Sequence, residues 1–178
     1  PIGDLRANAI CELGAATTEI AVISHSGTVV EHSLPVGGND LDRAIAMALS
    51  IDEKAAEAVK IAVGSAVPLQ EPLTTTVDGR EVSSNAVVDA IQPPLRQIAN
   101  AVRDVLMQTP AVLAADIRDR GIVLSGGGAQ LRGIDRYISL HAGISARVAD
   151  EPQTSVVRGT GLALENFEVL KRNQSYLR

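Results

Sequence analysis

The chain has 178 residues, 46% of them hydrophobic and 21% charged, and carries a net charge of −5. Such a length buries roughly 70% of its unfolded surface, in one domain or two small lobes, and the composition excludes a disordered chain. Aromatics at 2% leave almost nothing to stack on bases, and no block of Lys or Arg addresses a phosphate backbone, so no nucleic-acid partner is expected.

Residues 7–13 (ANAICEL) read as a strand, 14–18 as a turn and 19–24 as a second strand. Residues 25–27 turn again into a third strand over 28–36, which completes an antiparallel meander. Cys11, the only cysteine, falls inside the first strand as a buried thiol; it excludes an internal disulfide and suits a reducing compartment. A helix follows over 37–50, capped by Asn39 or Asp40, with Leu41, Ile45, Ala48 and Leu49 on one face. A second helix over 51–64 ends at Gly64.

Residues 72–82 form a hairpin in which Asp78-Gly79 supplies the positive φ angles of a two-residue turn. From Ser84 to Gln108 the apolar spacing is helical, and Pro93-Pro94 predicts a break or kink midway. Residues 120–125 are a buried strand, 131–143 a helix closed by Gly143, and 144–150 a short strand. A final helix spans 154–171, with Gly159 and Gly161 in its early turns. A meander followed by alternating helices and strands makes an α/β fold with a mixed sheet.

His25, His32 and His141 are scattered without metal-site spacing. No apolar run reaches the roughly 20 residues of a membrane span, so no direct membrane segment is expected. The sequence opens on Pro1 and not on methionine, and is expected to be a processed chain or a piece of something longer.

Four stretches stand out. In ELGAATTE, Glu12 to Glu19, an acidic residue ends a strand and small residues and two threonines follow. Such a turn converges N–H groups on an anion, or is merely a hairpin of small residues. GIVLSGGGAQLRG, 121–133, sets three glycines between a strand and a helix, which admits a ligand against bare backbone or makes a structural loop. It has neither the spacing of a dinucleotide fingerprint nor the Gly-Lys-Ser/Thr of a P-loop. Glu57 and Lys60 share a helix face and are suited to two sugar hydroxyls, or form an exposed ion pair. GTGLALEN, 159–166, has glycines that permit close helix packing.

Together and in this order, these stretches resemble the actin-like ATPase superfamily, and specifically the second half of MreB-type bacterial actins. ELGAATTEIAVIS resembles the family's second phosphate segment and AEAVKIAVGSAVPL its ribose-contacting helix. LAADIRDRGIVLSGGGAQLRGIDRYI is similar to the adenosine segment, and VADEPQTSVVRGTGLALEN to the second interdomain connection. A sugar kinase or an Hsp70-type ATPase of the same superfamily fits less well.

The resemblance implies an actin-like (ribonuclease H-like) lobe over 1–50 and 109–178, with a small reduced subdomain inserted at 51–108. It implies ATP or ADP with Mg²⁺ in a crevice. Gly14, Ala15, Ala16, Thr17 and Thr18 would lie by the β- and γ-phosphates. Glu57 and Lys60 would address ribose and adenine, with Gly126, Gly127, Gly128 and Gln130 against the adenosine. Glu12 and Thr17 would be the catalytic positions, Glu12 reaching the metal through water. The implied partners are further copies or intact MreB-like filaments and the proteins of cell shape and wall synthesis, at the cytoplasmic face of the membrane.

Two departures bear on this. Glu12 and Ala15-Ala16 stand where the family usually has aspartate and glycines; the longer acid and the two methyls crowd the phosphate path. The family's first half, with its second phosphate loop and catalytic glutamate, has no counterpart in these residues. Weak ATP binding without hydrolysis is therefore expected of this chain alone, with a nucleotide-independent interaction module as the alternative.

Overall fold

The computed structural model describes residues 6–25 and 27–167. Ser26 in the second expected turn and 168–171 of the final helix lie outside them. In chain order the elements are β1 (Asn8–Leu13), β2 (Thr18–Ser24), β3 (Gly27–Leu34), α1 (Gly38–Leu49), α2 (Glu53–Val63), β4 (Thr74–Val77) and β5 (Arg80–Ser83). There follow α3 (Ser84–Gln108), α4 (Ala111–Arg120), β6 (Ile122–Ser125), α5 (Ile134–Ala142), β7 (Ala146–Val148) and α6 (Ser155–Glu165).

Five strands form one mixed sheet in the order β3-β2-β1-β6-β7. β1, β2 and β3 run antiparallel as the expected meander, while β6 joins β1 and β7 joins β6 in parallel. Register puts Ala9, Cys11 and Leu13 opposite Val22, Ile20 and Thr18, and sets Ile122 and Leu124 beside Ala9 and Cys11. All eight are buried, so one sheet face is the floor of the core. α3 packs on β2 and β3, and α1 and α5 pack on α3. The core therefore runs without interruption from the sheet into the 51–108 segment. The β4–β5 hairpin turns through Asp78 at φ 48° and Gly79 at φ 73°, as the Asp-Gly pair predicts.

Three local expectations are corrected. α1 is capped from Gly37, and Asp40 sits inside the first turn, where its carboxylate accepts the Gly37 N–H at 2.8 Å. Its buried stripe is Leu41, Asp42, Ile45 and Ala46, and Ala48 is exposed, so the helix is rolled towards Asp42. α3 is one helix of 25 residues that continues through Pro93-Pro94, so the prolines make no break. α4 was not anticipated, because Ile117 is its single buried residue and leaves no periodic stripe to read.

The helix expected from 131 starts later. A short 3-10 turn, Gly127–Gln130, stands between the glycines and α5. In α6, Gly159 and Gly161 have nothing within 4 Å of the position a Cβ would occupy, so they mediate no close packing among the described residues.

Candidate functional site

β1 and β6 end side by side, since Glu12 pairs with Ser125. Each strand then runs into a glycine bend, Gly14 after β1 and Gly126 after β6. Both bends border one cavity of about 560 Å³, lined by Gly14, Ala15, Gly127 and Gly128. The first turns of α1 contribute Gly38, Asn39, Leu41 and Asp42, and α2 contributes Glu57, Lys60, Ile61 and Gly64. Gln130, Leu131, Arg132 and Gln153 complete the lining.

The first bend is fixed through its backbone. The Gly14 N–H donates to the Thr17 carbonyl at 2.9 Å, while the Gly14 and Ala15 carbonyls accept from Gly38 and Asn39 at 2.9 and 2.8 Å. This clamp draws the bend so close to α1 that a Cβ on Gly37 would stand 2.7 Å from two of its carbonyl oxygens. The N–H groups of Ala15, Ala16 and Thr17 donate to no acceptor among the described residues. Successive unpaired amides in a tight bend attract an anion.

The second bend divides by function. Gly126 is buried at φ 82°, and a Cβ there would collide with the Leu13 carbonyl. Gly128 is constrained similarly, its Cβ position lying 2.8 Å from the Leu13 Cβ. Gly127 is exposed, and the only neighbour of its Cβ position is the Gln153 side chain at 3.8 Å. Packing on β1 thus demands two of the three glycines, and the middle one is left bare over the cavity.

On the α1–α2 wall the Lys60 ammonium lies 2.8 Å from both oxygens of Asp42, donates to Oδ2, and reaches the Gly38 carbonyl at 3.4 Å. Burial pushes the Asp42 carboxyl above its ordinary value; the Lys60 hydrogen bond and charge oppose the rise, and Glu57 and Glu53 add to it. Burial, with the Glu12 charge behind it, pushes the Cys11 thiol up to about 12, so Cys11 is a packing residue.

Of the residues expected at a site, Gly14, Ala15, Glu57, Lys60, Gly127, Gly128 and Gln130 line the cavity. Thr18 is fully buried and its hydroxyl donates to the Val36 carbonyl at 2.8 Å, which ties β2 to the approach to α1. Thr17 contributes a carbonyl to the bend, Ala16 is exposed at its tip, and Gly126 is buried against the Leu13 backbone. Glu12 is half-buried on the sheet face opposite Cys11, beside Glu19. No three His, Cys, Asp or Glu side chains come together as a metal site among the described residues. Asp42, Arg132 and Gln153 were not foreseen. A carboxylate within an apolar stripe, four residues after two glycines, was the available signal for the first.

The family model for MreB/Mbl protein matches residues 1–172. The cell shape-determining protein MreB of Escherichia coli (strain K12) is 38% identical over 185 residues, covering 95% of this chain and 53% of that protein. The crystal structure of MreB5 of Spiroplasma citri bound to ADP superposes with a TM-score of 0.88 at 28% identity, covering 95% of this chain and 56% of the other. The same protein bound to AMPPNP gives a TM-score of 0.87. The chain thus spans about half the length of the relatives it matches. The mixed sheet flanked by helices is the actin-like α/β fold expected from the sequence. No described helix is long and apolar enough to cross a membrane. On this evidence the chain belongs to the MreB/Mbl family of cell shape-determining proteins.

Proposed function

We propose that the chain is the second lobe of an MreB-like cytoskeletal protein, which holds one side of an adenine nucleotide and contributes filament contacts. The observation that carries this reading is the shared cavity: two glycine bends, distant in sequence, border one space with Glu57 and Lys60 across from them. The unpaired amides of Ala15 to Thr17 suit the phosphates. Bare Gly127 and Gln130 suit the base, and Glu57 and Lys60 suit the sugar. Mg²⁺, which neutralises phosphate charge, would enter with the nucleotide, since no carboxylate cluster among the described residues holds it in place. Glu12, the proposed water-mediated contact, and Thr17 flank the bend without lining the cavity.

Hydrolysis requires a water positioned between two lobes, and this chain supplies groups from one side only. Weak binding without turnover is the expected behaviour. Titration with a fluorescent ATP analogue tests it: saturable, Mg²⁺-dependent binding that weakens in Lys60→Met supports the reading. No binding at millimolar nucleotide supports a second one, an interaction module of the same fold that works without nucleotide. The Ala15 and Ala16 side chains, exposed where the phosphates would pass, favour that alternative. Its partners would be further copies, intact filaments or wall-synthesis proteins at the cytoplasmic membrane face, and sedimentation with polymerised full-length MreB tests it.

A further inference from the structure

We infer that the chain reads a single phosphoryl group and is blind to any further one, so that it takes a nucleoside diphosphate and a triphosphate alike. This rests on the nucleotide reading above and concerns how many phosphates the site can count. The Gly14 bend offers three free amides in succession, those of Ala15, Ala16 and Thr17, and the Thr17 hydroxyl beside them has no partner among the described residues. Four donors within three residues match the oxygens of one phosphoryl group. The side chains at the tip add none, since Ala15 and Ala16 expose only methyls there.

The other positive groups around the bend are engaged elsewhere. Free N–H groups at a helix N-terminus ordinarily hold phosphate, and α1 starts beside the bend. Here the Gly38 and Asn39 N–H groups donate to the Gly14 and Ala15 carbonyls, and the Gly37 N–H donates to the Asp40 carboxylate at 2.8 Å. Asp40 is in turn paired with Arg43 at 3.2 Å, which leaves that turn without a spare charge. The cations of the cavity lining are Lys60 and Arg132. The Lys60 ammonium stands near the bend, 3.6 Å from the position of a Gly38 Cβ, but it is ion-paired with Asp42 at 2.8 Å. Arg132 turns its Nη1 to the carbonyl of Gly64, the C-terminal cap of α2. Asp42 and Glu57 balance the two cations, so the wall adds no net attraction for a polyanion. A further phosphate is left to water, where charge is worth little.

Calorimetric titration of the native chain with ATP, ADP and adenosine, each with Mg²⁺, tests the inference. ATP and ADP should bind within about threefold of one another. Adenosine should bind at least about tenfold more weakly than ADP, for want of the charge-assisted bonds to one phosphoryl group. In amide NMR spectra of the same titrations, the Ala15, Ala16 and Thr17 signals should move with ADP and with ATP and stay still with adenosine. A wider gap between ATP and ADP in either direction overturns the inference and leaves the nucleotide site in place. So does adenosine binding within tenfold of ADP, or a set of bend amides that ignores ADP. Failure of all three compounds to bind overturns the inference and the nucleotide reading together.

Discussion

At the scale of single residues, the three glycines after β6 are unlike one another, and the difference separates folding from binding. Gly126 combines a left-handed φ of 82° with backbone contact to Leu13. An alanine there meets a conformational penalty of about 1–2 kcal/mol before any clash is relieved. Gly126→Ala should therefore destabilise the fold by at least about 2 kcal/mol, read as a lower thermal midpoint. Gly127 has a negative φ and open space above it, so Gly127→Ala should leave stability within about 0.5 kcal/mol. It should nonetheless weaken ATP-analogue binding about tenfold, because the new methyl projects into the cavity. Equal binding by native chain and Gly127→Ala would remove this position from the site. Cys11 supplies a second test. Its thiol is raised to about 12 in the folded chain against 9.0 in the open one, so the folded form holds the proton more tightly. Its contribution to stability is complete below pH 9 and is lost as pH rises towards 12. A thiol-reactive probe at pH 8 should leave the native chain unlabelled and label it fully in denaturant; rapid native labelling would refute the buried assignment.

At the scale of elements, α3 exposes the limit of reading breakers from sequence. Each proline inside a helix costs about 3 kcal/mol, through a lost hydrogen bond and a clash with the preceding turn. Yet Val87, Val88, Ile91, Leu95, Ile98, Val102 and Val105 are all buried along one side of this helix, on both sides of the pair. At about 1.5–3 kcal/mol each, their burial outweighs two prolines, so the helix continues. Pro93 is exposed and Pro94 is buried. Pro93→Ala should thus raise stability by about 1–3 kcal/mol, measured by chemical denaturation, whereas Pro94→Ala also loses packing. Destabilisation by Pro93→Ala would mean the ring shapes the helix in a way the packing needs. The same competition explains which elements were legible. β1, β2 and β6 declare themselves by alternation or by a dense apolar run, and the β4–β5 turn by Asp78-Gly79, because local chemistry and tertiary burial agree there. α4 contributes one buried residue and carries no pattern. In α1 the Asp42 carboxylate occupies the buried stripe opposite Lys60, so a reading built on apolar spacing turned the helix towards Ala48.

At the scale of the whole molecule, two distant bends were readable as one crevice only because their order along the chain resembled a family. Glycines alone carry no information about what they face. What the sequence did not disclose was the far wall's third member, Asp42, whose partner is 18 residues away on another helix. Cohesion is also uneven across the fold. The sheet and α3 share the buried core, whereas α6 buries no residue and leaves Val156, Val157, Leu162 and Leu164 more than half exposed. A helix of 11 residues without packing is marginal in water, and Gly159 and Gly161 each remove about 1 kcal/mol more. Its Arg158–Glu151 ion pair, 2.9 Å long and exposed on both sides, offsets little of this. Native-state hydrogen exchange on the isolated chain should therefore find the α6 amides about a thousandfold less protected than those of Ile10 and Val123, whose strands open only with global unfolding. Protection of α6 equal to the sheet would mean that its apolar residues are covered in solution. A dependence of that protection on protein concentration would then identify the cover as a second copy of the chain, because only an intermolecular contact is strengthened by mass action.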